Sequence, residues 1–203
     1  MSGITSTTAL WYASRATGVV SLILLSAVMV IGMLVNRQGR LPGLPRFAVL
    51  GLHRNLSLLA VGFVAVHVLT AVTDSFVSIS LAAIVIPFIS SYEPLWLGLG
   101  AVSLDLMVAV IVTSLLRRHI GRRVWRAVHW LAYASWPVAV VHSIYSSHDM
   151  QSGPLLYLGL VCIAAVLGAL GWRLIRARAG LLRADRVPQL MADRGLLARA
   201  GDR

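Results

Sequence analysis

Lysine is absent from this 203-residue sequence, and charged residues of every kind are scarce. They make up 12% of the chain, whereas hydrophobic residues make up 58% and the mean hydropathy is +0.82. A water-soluble domain carries about twice that share of charge. The composition therefore excludes an ordinary soluble domain and indicates a polytopic membrane protein.

Cysteine is also nearly absent, since Cys162 is the single thiol and lies within an apolar run. One thiol excludes an internal disulfide, and no CxxC redox or zinc pattern is present. The net charge of +11 rests on arginine alone. On a soluble domain that charge would indicate nucleic acid. Here the arginines flank apolar segments, so the sequence predicts a role in membrane topology and no nucleic-acid partner.

Five apolar segments are long enough to cross a bilayer core of about 30 Å, which needs about 20 residues. They are 13–35, 47–73, 94–116, 124–146 and 154–176. A shorter apolar stretch at 76–91 contains Pro87 and is interpreted as a re-entrant or surface-lying segment. The sequence thus predicts an all-α transmembrane helical bundle of about five spans in residues 10–176. A basic cytoplasmic tail follows at 177–203.

Arginine placement predicts the orientation of these spans. Loops 36–46 and 117–126 and the segment after the last span are rich in arginine. The other two loops carry Asp74, Glu93 and Asp149 and no arginine. Because positively charged loops stay on the cytoplasmic side of a membrane, we expect the N-terminus outside and the C-terminus in the cytoplasm.

Four histidines lie within two of the predicted spans: His53 and His67 in the second, His129 and His142 in the fourth. These spans run in the same direction because one span separates them. The imidazoles therefore form an inner layer, His53 with His129, and an outer layer, His67 with His142. Neutral imidazole is an axial ligand of haem iron, so two such layers suit two haems. A single intramembrane histidine can instead form only hydrogen bonds between helices, but matched layers favour the ligand role.

The angular spacing differs between the two histidine pairs. At about 100° per residue, His53 and His67 lie on one face of an ideal helix, about 40° apart. His129 and His142 lie about 140° apart on an ideal helix. The sequence therefore predicts a distortion between His129 and His142, for which Pro137 is the candidate cause.

A His-x13-His helix followed two spans later by a His-x12-His helix resembles the ferric-reductase-like transmembrane domain. This family includes NADPH oxidases, ferric reductases and the haem-binding subunit of methionine-sulfoxide reductase systems. The stretch WYASRATGVVSLILL also looks like the first span of actinobacterial members, and the resemblance covers roughly residues 10–175. It implies a cytochrome with two haem b groups that moves electrons from the cytoplasmic or quinol side to the outer side. It also implies that His53 and His129 bind the inner haem and that His67 and His142 bind the outer haem.

The sequence departs from that family in two respects. No GxGxxG follows a predicted strand, so we expect this sequence not to contain the flavin and nicotinamide domain of many members. Relatives commonly have six spans with the histidines on the third and fifth, whereas this sequence has five predicted spans with the histidines on the second and fourth. We therefore expect an oxidoreductase component of the inner (plasma) membrane that uses a separate reductase or quinol donor and an outer-side acceptor. Two alternatives stay open: a quinol-linked cytochrome b with the same ligands, and a haem-free assembly or transport subunit.

Four further side chains are candidates for cofactor binding: Arg15, Arg54, Trp130 and Trp136. Arginine binds carboxylates through two parallel hydrogen bonds. Arg54 would thus neutralise an inner haem propionate and Arg15 an outer one, unless each extends to its membrane interface. The two tryptophans lie deep enough to line a haem pocket or simply to pack. Asp105 lies near the middle of the third span, where an isolated carboxylate is costly. Three explanations are open: a protonated side chain, a pair with a buried arginine, or part of a proton path. The pairing is favoured over transport because no chain of further acids is visible.

Overall fold

In the computed structural model the chain forms a bundle of helices. The structure describes the backbone of residues 2–35, 45–74, 77 and 79–201, and the side chains of 8–34, 45–74, 77 and 79–179. No β-strand occurs in these ranges. The α-helices are α1 (Ser2–Val35), α2 (Arg46–Thr73), α3 (Ala82–Val85), α4 (Pro94–Leu115), α5 (Gly121–His129), α6 (Ala132–Tyr145) and α7 (Gly153–Gly201). The predicted all-α fold is confirmed.

Within the described residues, four continuous helices are long and apolar enough to cross a membrane. They are Thr8–Leu34, Arg46–Thr73, Pro94–Arg118 and Gly153–Ala179. These helices correspond to the first, second, third and fifth predicted spans, and the prediction of a multi-pass membrane protein is confirmed. The fourth predicted span, 124–146, is divided into α5 and α6 at Trp130 and Leu131. It is a broken helix and not a continuous one.

The break between α5 and α6 changes the direction in which the histidines point. Four backbone hydrogen bonds there join an N–H to the carbonyl three residues earlier, with donors Trp130, Leu131, Tyr133 and Ala134. Such turns advance about 120° per residue instead of about 100°, so they reduce the offset between His129 and His142 from about 140° to about 60°. The predicted distortion between His129 and His142 is present. The break lies at Trp130 and Leu131, whereas Pro137, the candidate cause, lies inside α6.

Helix α1 is the central element of the bundle. Helices α2, α6 and α7 pack against it, and α4 packs against α6. The buried core comprises Leu22, Met33, Trp136, Val140, Met150 and Val166. In the described part of the chain α2 makes no extended contact with α6. In the space between α2 and the α5–α6 pair, which we call the slot, the rings of His67 and His142 face each other.

The contact between α4 and α6 contains a reciprocal pair of hydrogen bonds. Ser103 Oγ donates to the Ser135 carbonyl at 3.1 Å, and Ser135 Oγ donates to the Ser103 carbonyl at 3.0 Å. Both serines are buried. Small residues that exchange hydrogen bonds let two helices approach closely in a membrane, so this pair holds α6 against α4.

The remaining segments lie at the ends of the bundle. The 76–91 stretch contains the short helix α3, and its Phe88 ring packs where a side chain at Gly98 would stand. Helix α7 continues through Pro188. Arg37 and Arg40 of the predicted cytoplasmic loop lie outside the described residues.

Candidate haem site

The outer pair, His67 and His142, brings α2 and α6 together near one end of the bundle. The two ring centroids are 6.4 Å apart, and the ring planes are inclined at 70°. His67 Nδ1 lies 2.8 Å from the Ser14 carbonyl, and His142 Nδ1 lies 2.7 Å from the Trp96 carbonyl. A carbonyl accepts only from N–H, so both Nδ1 atoms carry the proton. Nε2 of each ring is therefore the unprotonated nitrogen, which is the form of imidazole nitrogen that can bind a metal.

The separation of these two rings fits one metal centre between them. Metal–imidazole bonds are about 2.0 Å long, which places the centres of two axial imidazoles on one metal about 6 Å apart. The observed 6.4 Å agrees with that value. Elsewhere in the described chain, no group of three or more histidine, cysteine or acidic side chains converges. In the part of the chain that the structure describes, His67 and His142 are the pair of imidazoles that face each other closely.

The inner pair, His53 and His129, lies at the opposite end of the slot. His129 lies close enough to His53 for an electrostatic interaction. Nδ1 is buried in both histidines and has no hydrogen-bond partner among the described residues. His129 also stacks on Trp125, with ring centroids 5.1 Å apart. The Nδ1 atoms of this layer therefore differ from those of His67 and His142, which bond to carbonyls.

Arg15 and Arg54 have different surroundings. The Arg15 guanidinium pairs with the Asp149 carboxylate, donates to Ser147 Oγ at 3.1 Å and lies 4.1 Å from the centroid of the Trp11 ring. Arg54 is exposed and forms no ion pair with any described residue. Arg15 is thus already held by a carboxylate at the end of the bundle that contains His67 and His142. The Arg54 guanidinium, one position after His53, forms no ion pair with a described residue.

The two candidate tryptophans also differ. Trp136 is 8% exposed, and its Nε1 donates to Ser26 Oγ on α1 at 2.9 Å. Trp136 lies between His129 and His142 in sequence, at the level between the two layers. Trp130 is 53% exposed at the helix break, where it contacts the Tyr133 ring and the Arg173 guanidinium. Of the two, Trp136 is the buried one.

Asp105 lies on the exposed surface of α4. A pair between Asp105 and a buried arginine is not seen among the described residues. The ion pair found in that part of the chain joins Arg15 to Asp149.

Sequence reasoning missed the backbone groups that hold the outer histidines. Ser14 and Trp96 act through their carbonyls, which carry no residue-type signal. A signal does exist in the glycines that pack against the two histidines of α2, because Gly18 and Gly32 have the same 14-residue spacing as His53 and His67. Equal spacing on two neighbouring helices indicates that they meet at two matching levels.

Comparison with protein families shows that residues 17–140 match the ferric reductase like transmembrane component family. The match covers more than half of the 203 residues. The chain belongs to this family. No curated protein and no solved structure is significantly similar to it. The resemblance that the histidine spacing indicates is confirmed.

Membership in the ferric-reductase-like family gives this multi-pass membrane protein a role in membrane electron transfer. Transmembrane domains of this family commonly bind haem. The matched range includes His53, His67 and His129 and ends two residues before His142. The fold adds the missing partner, because it places the His142 ring opposite that of His67.

Proposed function

We propose that this chain holds two b-type haems between α2 and the α5–α6 pair and carries electrons across the membrane. The main support is the outer pair, where two imidazoles face each other at 6.4 Å with both Nδ1 atoms bonded to carbonyls. That arrangement suits axial ligation by both Nε2 atoms. Bound haem iron with two imidazole ligands supplies reversible one-electron transfer.

The protein's own contribution is ligation, distance and exclusion of water. Helix α1 lies behind α2, and α4 lies behind α6, so the histidines are supported from both sides of the slot. Trp136 and Ser26 occupy the level between the two layers. Their hydrogen bond holds α6 against α1, and this contact keeps the two layers at a fixed separation. The inner pair, His53 with His129, would hold the second haem.

The proposed orientation, with the N-terminus outside, requires α5 and α6 together to count as one crossing. The pairing of Arg15 with Asp149 supports that count, because it joins the N-terminal part of α1 to the segment after α6. With five crossings, loops 36–46 and 117–126 and the end of α7 all lie on one side. That side would be cytoplasmic by the positive-inside rule, and the His53 layer would then be the inner one. The membrane that we propose is the inner (plasma) membrane.

The charged groups near each layer have separate proposed roles. Arg54, which is exposed and lacks an ion pair in the described chain, would bind an inner haem propionate. Arg15 would contribute to the outer site while it stays bound to Asp149. Trp136 and Trp130 would line the slot and its inner edge, respectively. Electrons would come from a separate reductase or a quinol and pass to an acceptor outside.

The test is a count of haems on the full-length purified protein. A pyridine haemochrome assay with protein quantification should give about two haems per chain, with the spectrum of haem b. His67→Ala and His142→Ala should each remove one haem. His148→Ala is the matched control, because His148 is exposed on the outer loop, and it should leave the count unchanged. A colourless preparation from haem-replete cells would reject the proposal and favour a haem-free subunit.

A second measurement separates the electron donors. Reduced haem is followed by its absorbance after addition of menaquinol or ubiquinol, or of a reduced flavoprotein. Reduction by quinol alone favours a quinol-linked cytochrome b. Reduction by flavoprotein alone favours a separate cytoplasmic reductase.

A further inference from the structure

Two glycines lie directly against the outer histidines. A Cβ added at Gly100 would stand 2.7 Å from Cε1 and 2.9 Å from Nδ1 of His142. A Cβ added at Gly18 would stand 3.0 Å from Cε1 and from Nδ1 of His67. Ordinary carbon contacts are about 3.5–4.0 Å. A side chain at Gly18 would therefore push the His67 ring away from α1, and a side chain at Gly100 would push the His142 ring away from α4.

The carbonyl that binds each ring comes from the residue four positions before the glycine. Ser14 precedes Gly18, and Trp96 precedes Gly100, by that interval. In an α-helix this carbonyl accepts the glycine's own N–H, and it retains a second lone pair. Absence of the Cβ exposes that lone pair to the imidazole Nδ1–H. The same arrangement occurs on α1 and on α4, so it arises twice from unrelated parts of the chain.

The inner layer contains a weaker version of this arrangement. A Cβ at Gly32 would stand 3.2 Å from Cε1 of His53. The equivalent backbone group, at Val28, interacts with His53 without meeting hydrogen-bond geometry. No glycine in the described chain lies against His129. Both outer Nδ1 atoms thus bond to a carbonyl, whereas neither inner Nδ1 atom does among the described residues.

On the basis of the proposed function, we propose that Gly18 and Gly100 are positioning residues for the outer haem. Each glycine allows an axial imidazole to lie flat on its helix with Nδ1–H on a carbonyl and Nε2 free for iron. A hydrogen bond from Nδ1 makes the imidazole a more basic ligand. More basic axial ligands stabilise ferric iron, so this arrangement lowers the midpoint potential of the outer haem. Alanine at either glycine should raise that potential.

The experiment uses the full-length chain with His53→Ala, which retains the outer haem alone. Gly18→Ala, Gly100→Ala and Gly32→Ala are added singly, with Gly168→Ala on α7 as the control, since a Cβ there would contact nothing within 4 Å. Haem content is measured by pyridine haemochrome, and the midpoint potential by spectroelectrochemical titration. Because its overlap is the largest, Gly100→Ala should lower haem affinity by about tenfold or more.

Gly18→Ala, with the smaller overlap, should keep the haem and shift its midpoint potential upward. Gly32→Ala and Gly168→Ala should change neither quantity, because the inner layer is absent in this background. If Gly100→Ala does not fold, the potential of Gly18→Ala decides the question. An unchanged midpoint potential in both Gly18→Ala and Gly100→Ala, or an equal change in Gly168→Ala, would overturn the positioning role. The proposed function would still stand in that case if the wild type contains two haems. A colourless wild type would overturn the proposed function itself.

Discussion

The hydrogen bond between Ser26 and Trp136 joins α1 to α6 in the middle of the bundle. Both side chains are buried, at 4% and 8% exposure. Ser26 Oγ accepts from the indole Nε1 at 2.9 Å and donates its own proton to the Leu22 carbonyl at 2.7 Å. Ser26→Ala would leave a buried indole N–H without an acceptor, which costs about 1–3 kcal/mol in proteins generally. Interhelical hydrogen bonds in membranes average about 0.6 kcal/mol with a maximum near 1.7, so we expect a loss of about 1 kcal/mol.

The measurement is reversible unfolding by sodium dodecyl sulfate in mixed micelles, with Ser26→Ala, Trp136→Phe and the double variant. The cycle should give a coupling free energy of about 1 kcal/mol. Ser21→Ala is the matched control, because Ser21 is equally buried but its hydroxyl bonds only to the Thr17 carbonyl of its own helix. That control should cost less than about 0.5 kcal/mol. Additive effects in the cycle, or equal losses for the two serines, would refute the reasoning.

Three further outcomes follow from the described contacts. Asp149→Asn removes the partner of Arg15 but should change the free energy of unfolding by less than about 1 kcal/mol, because the pair is at the surface; a larger loss in the same titration would contradict this. Asp105→Leu should favour membrane insertion of α4 by about 3 kcal/mol in a glycosylation-based insertion assay, and unchanged insertion would argue against a mid-membrane position. With His67 and His142 rings inclined at 70°, the ferric outer haem should give a strongly anisotropic low-spin electron paramagnetic resonance signal. A spectrum typical of parallel imidazoles would contradict that geometry.

Much of the fold was predictable from residue type and periodicity. Apolar segments of about 20 residues separated by arginine-rich loops are a strong signal in a membrane protein, and four of the spans appear as continuous helices. The broken fourth span was predicted only in part. Proline is the obvious cause of distortion, but the tight turns at Trp130 and Leu131 depend on how α6 packs against α4 and α1. Such packing is not encoded in any local pattern.

The candidate site was predictable at the level of the histidines and not beyond it. Spacing was enough to identify the outer pair, because helix geometry converts residue intervals into levels within the membrane. The interaction of Arg15 with Asp149 was not predicted, since it joins residues 134 positions apart. The carbonyls of Ser14 and Trp96 could not be found either, because every residue carries the same backbone acceptor.

The break between α5 and α6 bears on how the protein is assembled during synthesis. Helix α6 has 14 residues and is about 21 Å long, which is too short for a hydrocarbon layer of about 30 Å. Helix α5 carries Arg122, Arg123 and Arg126 and is too polar to complete the crossing by itself. Insertion of this segment into lipid by itself should therefore be unfavourable. We expect it to leave the translocon paired with α4 as a helical hairpin, with the Ser103 and Ser135 hydrogen bonds already formed.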